Sequence, residues 1–217
     1  MDHAMIVGAA LALCGLAAGY VMVPLALAFT EPRPALPHHR RLGLPLAAAI
    51  IGGGVALWGM WQDHSLLTVL FTALLGWQLL LIGFVDAENH WLPDMLTFPL
   101  GVTGIAASVL LPYPFGHGWM AAIVSGVVAF CLLWLLSFVY RKLRGQSGLG
   151  GGDPILFGMG AAWVGLADLM PVLLLSSVFA ALAALALKLR GQQLGRHSQL
   201  PFGTYMAAAF AVMWLIG

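Results

Sequence analysis

Two aspartates stand apart from the other acids because of where they fall. Asp86 ends the apolar run "LLGWQLLLIGFVD", and Asp153 closes the glycine stretch "GLGGGD" where another apolar segment begins. An ionisable group within a membrane span is expensive and by default marks a functional site. Two carboxyls held within a few ångströms do not both ionise readily, so one keeps its proton near neutral pH while the other is charged. The ionised member of such a pair takes a proton from water while the protonated member polarises a carbonyl, with no metal and no covalent intermediate. The glycines before Asp153 have no Cβ, which opens backbone conformations closed to other residues and lets the main chain lie near a bound chain. Pro154 suits an early helical position, where its missing N–H costs little.

Composition dictates the elements that carry these acids. Of 217 residues, 61% are hydrophobic and only 8% are charged, with a mean hydropathy of +0.96. A soluble domain carries about 25% charged residues, so the expectation is an all-α polytopic membrane protein. The net charge of +1 gives no footing for nucleic acid. Cys14 and Cys131 lie inside apolar runs and are expected to be small buried hydrophobes, neither a disulfide framework nor metal ligands. The first thirty residues lack a basic n-region and contain an apolar run long enough to span, so a first span is expected there and not a cleaved signal. Eight spans are predicted, at about 4–29, 44–61, 65–85, 95–112, 119–140, 155–167, 170–189 and 203–217. Segments 155–167 and 203–217 are shorter than the ~20 residues a crossing helix needs.

The basic residues orient this bundle. All nine fall in three loops: Arg33, Arg40 and Arg41; Arg141, Lys142 and Arg144; Lys188, Arg190 and Arg196. The loops "WQDHS", "PYPFGHG" and "ADLMP" carry none. The positive-inside rule therefore predicts that the three basic loops are cytoplasmic and that both termini lie outside. The "VDAENHWLPD" connection then falls on the cytoplasmic side, which puts Asp86 and Asp153 at one membrane level.

The other acids have plainer readings. Asp2, Asp63 and Asp168 sit in short external segments and Glu31 beside Pro32, all as solvated loop ends. Asp94 is expected to begin a helix, where an acid suits the dipole. Asp86, His90 and Asp94 have the spacing of metal ligands on one helical face, but Pro93 argues against a continuous helix and no metal site is expected. The glycine loop lacks the following Lys-Ser/Thr of a phosphate cradle. Gly52, Gly53, Gly54 and Gly59 are read as helix-packing positions, and Trp61, Trp91 and Trp119 as interfacial anchors. On physics alone the rival for the aspartate pair is a proton- or ion-coupled membrane transporter.

Three segments together resemble the type IV prepilin peptidases, members of the GxGD class of intramembrane aspartyl proteases. "VDAENHWLPDMLTFPL" carries Asp86, then Pro93 and Asp94. "GLGGGDPILFGMGAAWVG" carries Gly148, Gly150, Gly152 and Asp153, then Ala162, Trp163 and Gly165. "LPFGTYMAAA" carries Pro201, Phe202 and Gly203. The resemblance covers about 75–217 and implies a peptidase core there, behind N-terminal spans in 1–74, within a single membrane-embedded domain. It implies that Asp86 and Asp153 are catalytic, with Gly150, Gly152, Glu88, Pro201, Phe202 and Gly203 around the substrate. The implied reaction removes a basic leader, after a Gly, from type IV prepilins or pilin-like secretion proteins at the cytoplasmic face of the bacterial inner membrane. It needs no cofactor, and the implied partners are the prepilin, the lipid bilayer and the pilus or type II secretion machinery.

Two departures qualify that expectation. Many members carry two Cys-x-x-Cys pairs after the first span and N-methylate the trimmed product. Here the loop at 31–43 has no cysteine, so it builds no thiolate zinc site, and methylation is not expected. His38 and His39 are read as ordinary loop residues. The family's usual lysine two positions past the second aspartate is Ile155.

Overall fold

The computed structural model describes residues 2–29, 38–145, 150–191 and 200–217, with side chains described from residue 6 in the first helix and residue 43 in the second. Arg33, Glu31, Gly148 and Arg196 lie outside the described residues, as do the side chains of Asp2, His38, His39, Arg40 and Arg41. Eight helices are described: α1 (Asp2–Ala28), α2 (His38–Trp61), α3 (Leu66–Asn89), α4 (Asp94–Leu110), α5 (Trp119–Arg144), α6 (Asp153–Val164), α7 (Leu169–Leu189) and α8 (Phe202–Ile216). They occur where the eight apolar segments are predicted. Five of them, α1, α2, α3, α5 and α7, are long and apolar enough to cross a membrane. The chain is a multi-pass helical membrane protein.

Helix packing divides the chain into two compact units, residues 1–85 and 86–217. In the first, α1 and α2 meet backbone to backbone: Gly15 lies against the Ala48 carbonyl and Gly52 against the Leu11 carbonyl. Small residues allow this approach, which is how helices associate where no hydrophobic force draws them together. Gly59 similarly abuts Val69, whereas Gly54 faces open space and packs on nothing. The Trp77 indole donates to the Ala48 carbonyl at 2.9 Å.

In the second unit α6 is the centre. It packs against α4, α5 and α8, and nine of its twelve residues are buried. Twelve residues rise only about 18 Å, too short to cross a bilayer, and such an element is stable at membrane depth because protein surrounds it. The α5–α6 crossing is made by glycines: a Cβ on Gly158 would stand 3.0 Å from the Gly126 carbonyl oxygen. The buried Trp163 indole donates to the Leu100 carbonyl of α4 at 2.8 Å. α6 starts earlier than its predicted span and stops at Gly165, whose φ of 82° suits a residue without a Cβ.

Cys14 and Cys131 are both exposed, contrary to the expected burial. The reason is the solvent. The outer faces of these helices are apolar too, as Val124, Val127, Phe130 and Trp134 of α5 show, and a small apolar residue is as much at home against lipid as in a core. Trp61 and Trp119 are likewise exposed at helix ends, and Trp91 is exposed in the connection between α3 and α4.

Candidate active site

Asp86 occupies the last turn of α3, which continues past residue 85 to Asn89 before His90, with φ of 53°, ends it. Its side chain is 4% exposed. One carboxylate oxygen, Oδ2, accepts two hydrogen bonds from Thr204: the main-chain N–H at 2.7 Å and the hydroxyl at 3.1 Å. Thr204 is the third residue of α8, whose N-cap, Pro201, supplies no side-chain cap. First-turn amides of a helix have no intrahelical acceptor. Asp86 therefore caps α8 from a different helix, and its charge meets the positive end of the α8 dipole.

Asp153 is also 4% exposed and also sits at a helix start, as the first residue of α6 with Gly152 at the N-cap and Pro154 following. Its Oδ2 accepts the Gly150 N–H at 2.8 Å. The glycines are explained by space. A Cβ on Gly150 would stand 3.2 Å from Asp153 Oδ2, and one on Gly152 would stand 2.8 Å from Leu92 Cβ. Gly152 has a φ of −83°, which any residue adopts. What matters there is the missing side chain.

Leu92 joins the two halves of the site. The same side chain that excludes a Cβ at Gly152 also excludes one at Gly203, where a Cβ would stand 2.8 Å from Leu92 Cδ1 and 3.0 Å from Asp86 Cγ. The segments that carry the two carboxyls thus meet around one buried leucine. Among the described acids, only Asp86 and Asp153 are buried.

The remaining candidates fall around this pair. Gly203 is buried against Asp86, while Pro201 and Phe202 are half-buried at the start of α8. Gly150 is exposed and Glu88 half-buried on the turn after Asp86. Asp94 does begin α4, but Pro93 holds the N-cap and no side-chain cap bond forms. The break at His90 ends any continuous helical face through Asp86, His90 and Asp94, and no group of three or more metal-ligating side chains occurs among the described residues. Ile155 is half-buried in the first turn of α6. Asp168, expected as a solvated loop end, is instead half-buried and lines a cavity at the far end of α6.

Thr204 and Leu92 are the neighbours of the aspartate pair that sequence reasoning missed. The signal for Thr204 was a hydroxyl directly after Pro-Phe-Gly in the first turn of an otherwise apolar helix. Leu92 left no signal, since a leucine in an apolar chain is unremarked until its contacts are seen.

Two buried aspartates, each with one carboxylate oxygen bound by a main-chain N–H, mark the candidate site of this helical membrane protein. Residues 73–185, just over half of the chain, match the profile of the type IV leader peptidase family. The chain belongs to the type IV leader peptidase family. It is 36% identical over 147 residues to a prepilin leader peptidase/N-methyltransferase of Aeromonas salmonicida, covering 65% of this chain and 48% of the relative. With the protein of the same name from Pseudomonas aeruginosa it shares 33% identity over 175 residues, 78% of this chain and 56% of the relative. The chain spans about half the length of the curated relatives it matches. No solved structure matches it.

Proposed function

We propose that the chain is an intramembrane aspartic endopeptidase that removes the basic leader from type IV prepilins or pilin-like secretion proteins. The observation that carries this is the pairing of the only buried acids among the described residues, each with one oxygen fixed by a main-chain N–H. Fixing Oδ2 leaves Oδ1 of each carboxyl for the reacting groups. Asp86, with two donors on one oxygen, is assigned as the base that takes a proton from water. Asp153 holds a proton toward the scissile carbonyl. Water oxygen then bonds to the carbonyl carbon, the C–N bond breaks, and the leaving amine takes up a proton from the pair.

The remaining assignments belong to the same reading. The three basic loops and the turn holding Asp86 face the cytoplasm, both termini face outward, and cleavage occurs after Gly at the cytoplasmic face of the bacterial inner membrane. Glu88 meets the basic leader, while Gly150, Gly152, Pro201, Phe202 and Gly203 frame the extended backbone at the cleavage point. Pilus or type II secretion assembly takes the trimmed product. Residues 31–43 contain no cysteine, and the product is released with its α-amino group unmethylated.

The test is co-expression with a candidate prepilin, comparing wild type with Asp86→Asn and Asp153→Asn. Both variants are expected to insert stably and to leave the leader almost wholly uncut. Near-normal processing by either would refute the pair. An intact leader in wild type with aspartate-dependent ion flux in vesicles would return the transporter reading.

A further inference from the structure

At the other end of α6 from Asp153 lies a cavity of about 430 Å³, bounded by the α4–α5 connection, the end of α6, the α6–α7 turn and the last turns of α8. Its polar side chains are Tyr113, His117, Ser125, Trp163 and Asp168. The Nε2 of His117 is buried and has no hydrogen-bond partner. The other ring nitrogen donates to the Phe115 main chain, which leaves Nε2 as the lone-pair side of a neutral imidazole. The ring packs on Gly165, where a Cβ would stand 3.7 Å from Nε2. Burial also holds His117 below its ordinary range, so the ring stays an acceptor.

Asp168 supplies the second acceptor. It occupies the N-cap position of α7 yet makes no side-chain cap bond, and it lines the cavity half-buried. An aspartate at an N-cap ordinarily bonds the first-turn amides; this one does not. Ser125 and Trp163, also in the wall, donate to the Ala121 and Leu100 carbonyls at 2.7 and 2.8 Å. Among the described residues, no Lys or Arg lines the cavity. Aromatic rings form much of the rest, with Trp163 and Trp214 edge to face at 5.2 Å between centroids and Phe115 4.8 Å from Trp214.

A lone pair, a carboxylate and aromatic walls with no cation call for a ligand that is both a hydrogen-bond donor and positive. Two donor side chains are too few for a tetrahedral metal site. Val124 and Leu166, both lining the cavity and more than half exposed, put apolar outer surface at its rim. We propose that this cavity binds the primary ammonium headgroup of an aminophospholipid, with N–H groups donated to His117 Nε2 and to the Asp168 carboxylate. The phosphate and acyl chains stay outside, along the exposed apolar rim. The site is independent of the peptidase reading, since neither His117 nor Asp168 touches the aspartate pair.

The test follows the ¹⁵N resonance of His117 Nε2 in the full chain in detergent, assigned by its loss in His117→Phe. Short-chain phosphatidylethanolamine is expected to shift it saturably, and short-chain phosphatidylglycerol or an N-acetylated headgroup to bind at least about tenfold more weakly. Lipid titrations read by native mass spectrometry should show His117→Phe and Asp168→Asn each weakening phosphatidylethanolamine about tenfold or more, the scale of a hydrogen bond to a charged group. Ethanolamine alone giving the same shift would support ammonium recognition with a soluble amine as its source. An unmoved Nε2 resonance, equal binding of phosphatidylglycerol, or unchanged binding in both variants would overturn the proposal.

Discussion

Replacing Thr204 by valine keeps the shape of the side chain and removes one of the two donors to Asp86 Oδ2. The lost bond is the longer one, hydroxyl to carboxylate at 3.1 Å, while the main-chain N–H at 2.7 Å remains. A hydrogen bond to a charged group contributes roughly 1.5–3 kcal/mol, and the longer contact belongs near the lower end. Each 1.36 kcal/mol is a tenfold change in rate, so leader cleavage should fall about tenfold if the orientation and charge of Asp86 set the barrier. The loss should appear in kcat with little change in KM, because Thr204 acts through Asp86 and not on the leader. Thr204→Ser, which restores the hydroxyl, should recover most of the rate. The assay is cleavage of a purified prepilin in proteoliposomes, with thermal unfolding as the control on folding. Cleavage by Thr204→Val within twofold of wild type, or a serine variant as poor as valine, would refute Thr204 as a positioning residue.

Gly203→Ala should be at least as damaging, because the new methyl would press 3.0 Å from Asp86 Cγ and 2.8 Å from Leu92 Cδ1; overpacking of this kind costs about 1–3 kcal/mol, and cleavage should fall tenfold or more with helix content by circular dichroism retained. Trp163→Phe removes the donor to the Leu100 carbonyl and should destabilise the protein by about 1–3 kcal/mol, seen as a lowered Tm in detergent. Pilin trimmed by this chain alone should keep the mass of a free α-amino terminus, and an added methyl group that depends on the chain would contradict that expectation.

Charge made half of the site legible in the sequence. An aspartate at the end of a long apolar helix has few neutral explanations, which is why Asp86 and Asp153 could be picked out and are the buried acids of the described structure. The helix start at Asp153 was readable from Pro154. Thr204 was not, because its bond to Asp86 joins residues 118 apart and exists only where the start of α8 abuts the end of α3. Asp168 was misread because a short loop acid looks the same in sequence whether it faces water or a cavity. The cysteines were misread for the opposite reason: in lipid, apolar character does not distinguish inside from outside.

Asp86 is at once the cap of α8 and, in the proposed reaction, a reagent. A carboxylate that accepts a proton is a weaker acceptor for the Thr204 N–H, so each turnover would briefly slacken the hold of Asp86 on the start of α8. Asparagine still offers an oxygen to that amide, whereas alanine would release the helix start altogether. The asparagine variant therefore separates chemistry from architecture, and the alanine variant confounds them. The start of α8 would thus be a moving part, loosening when the proton arrives and tightening when it leaves.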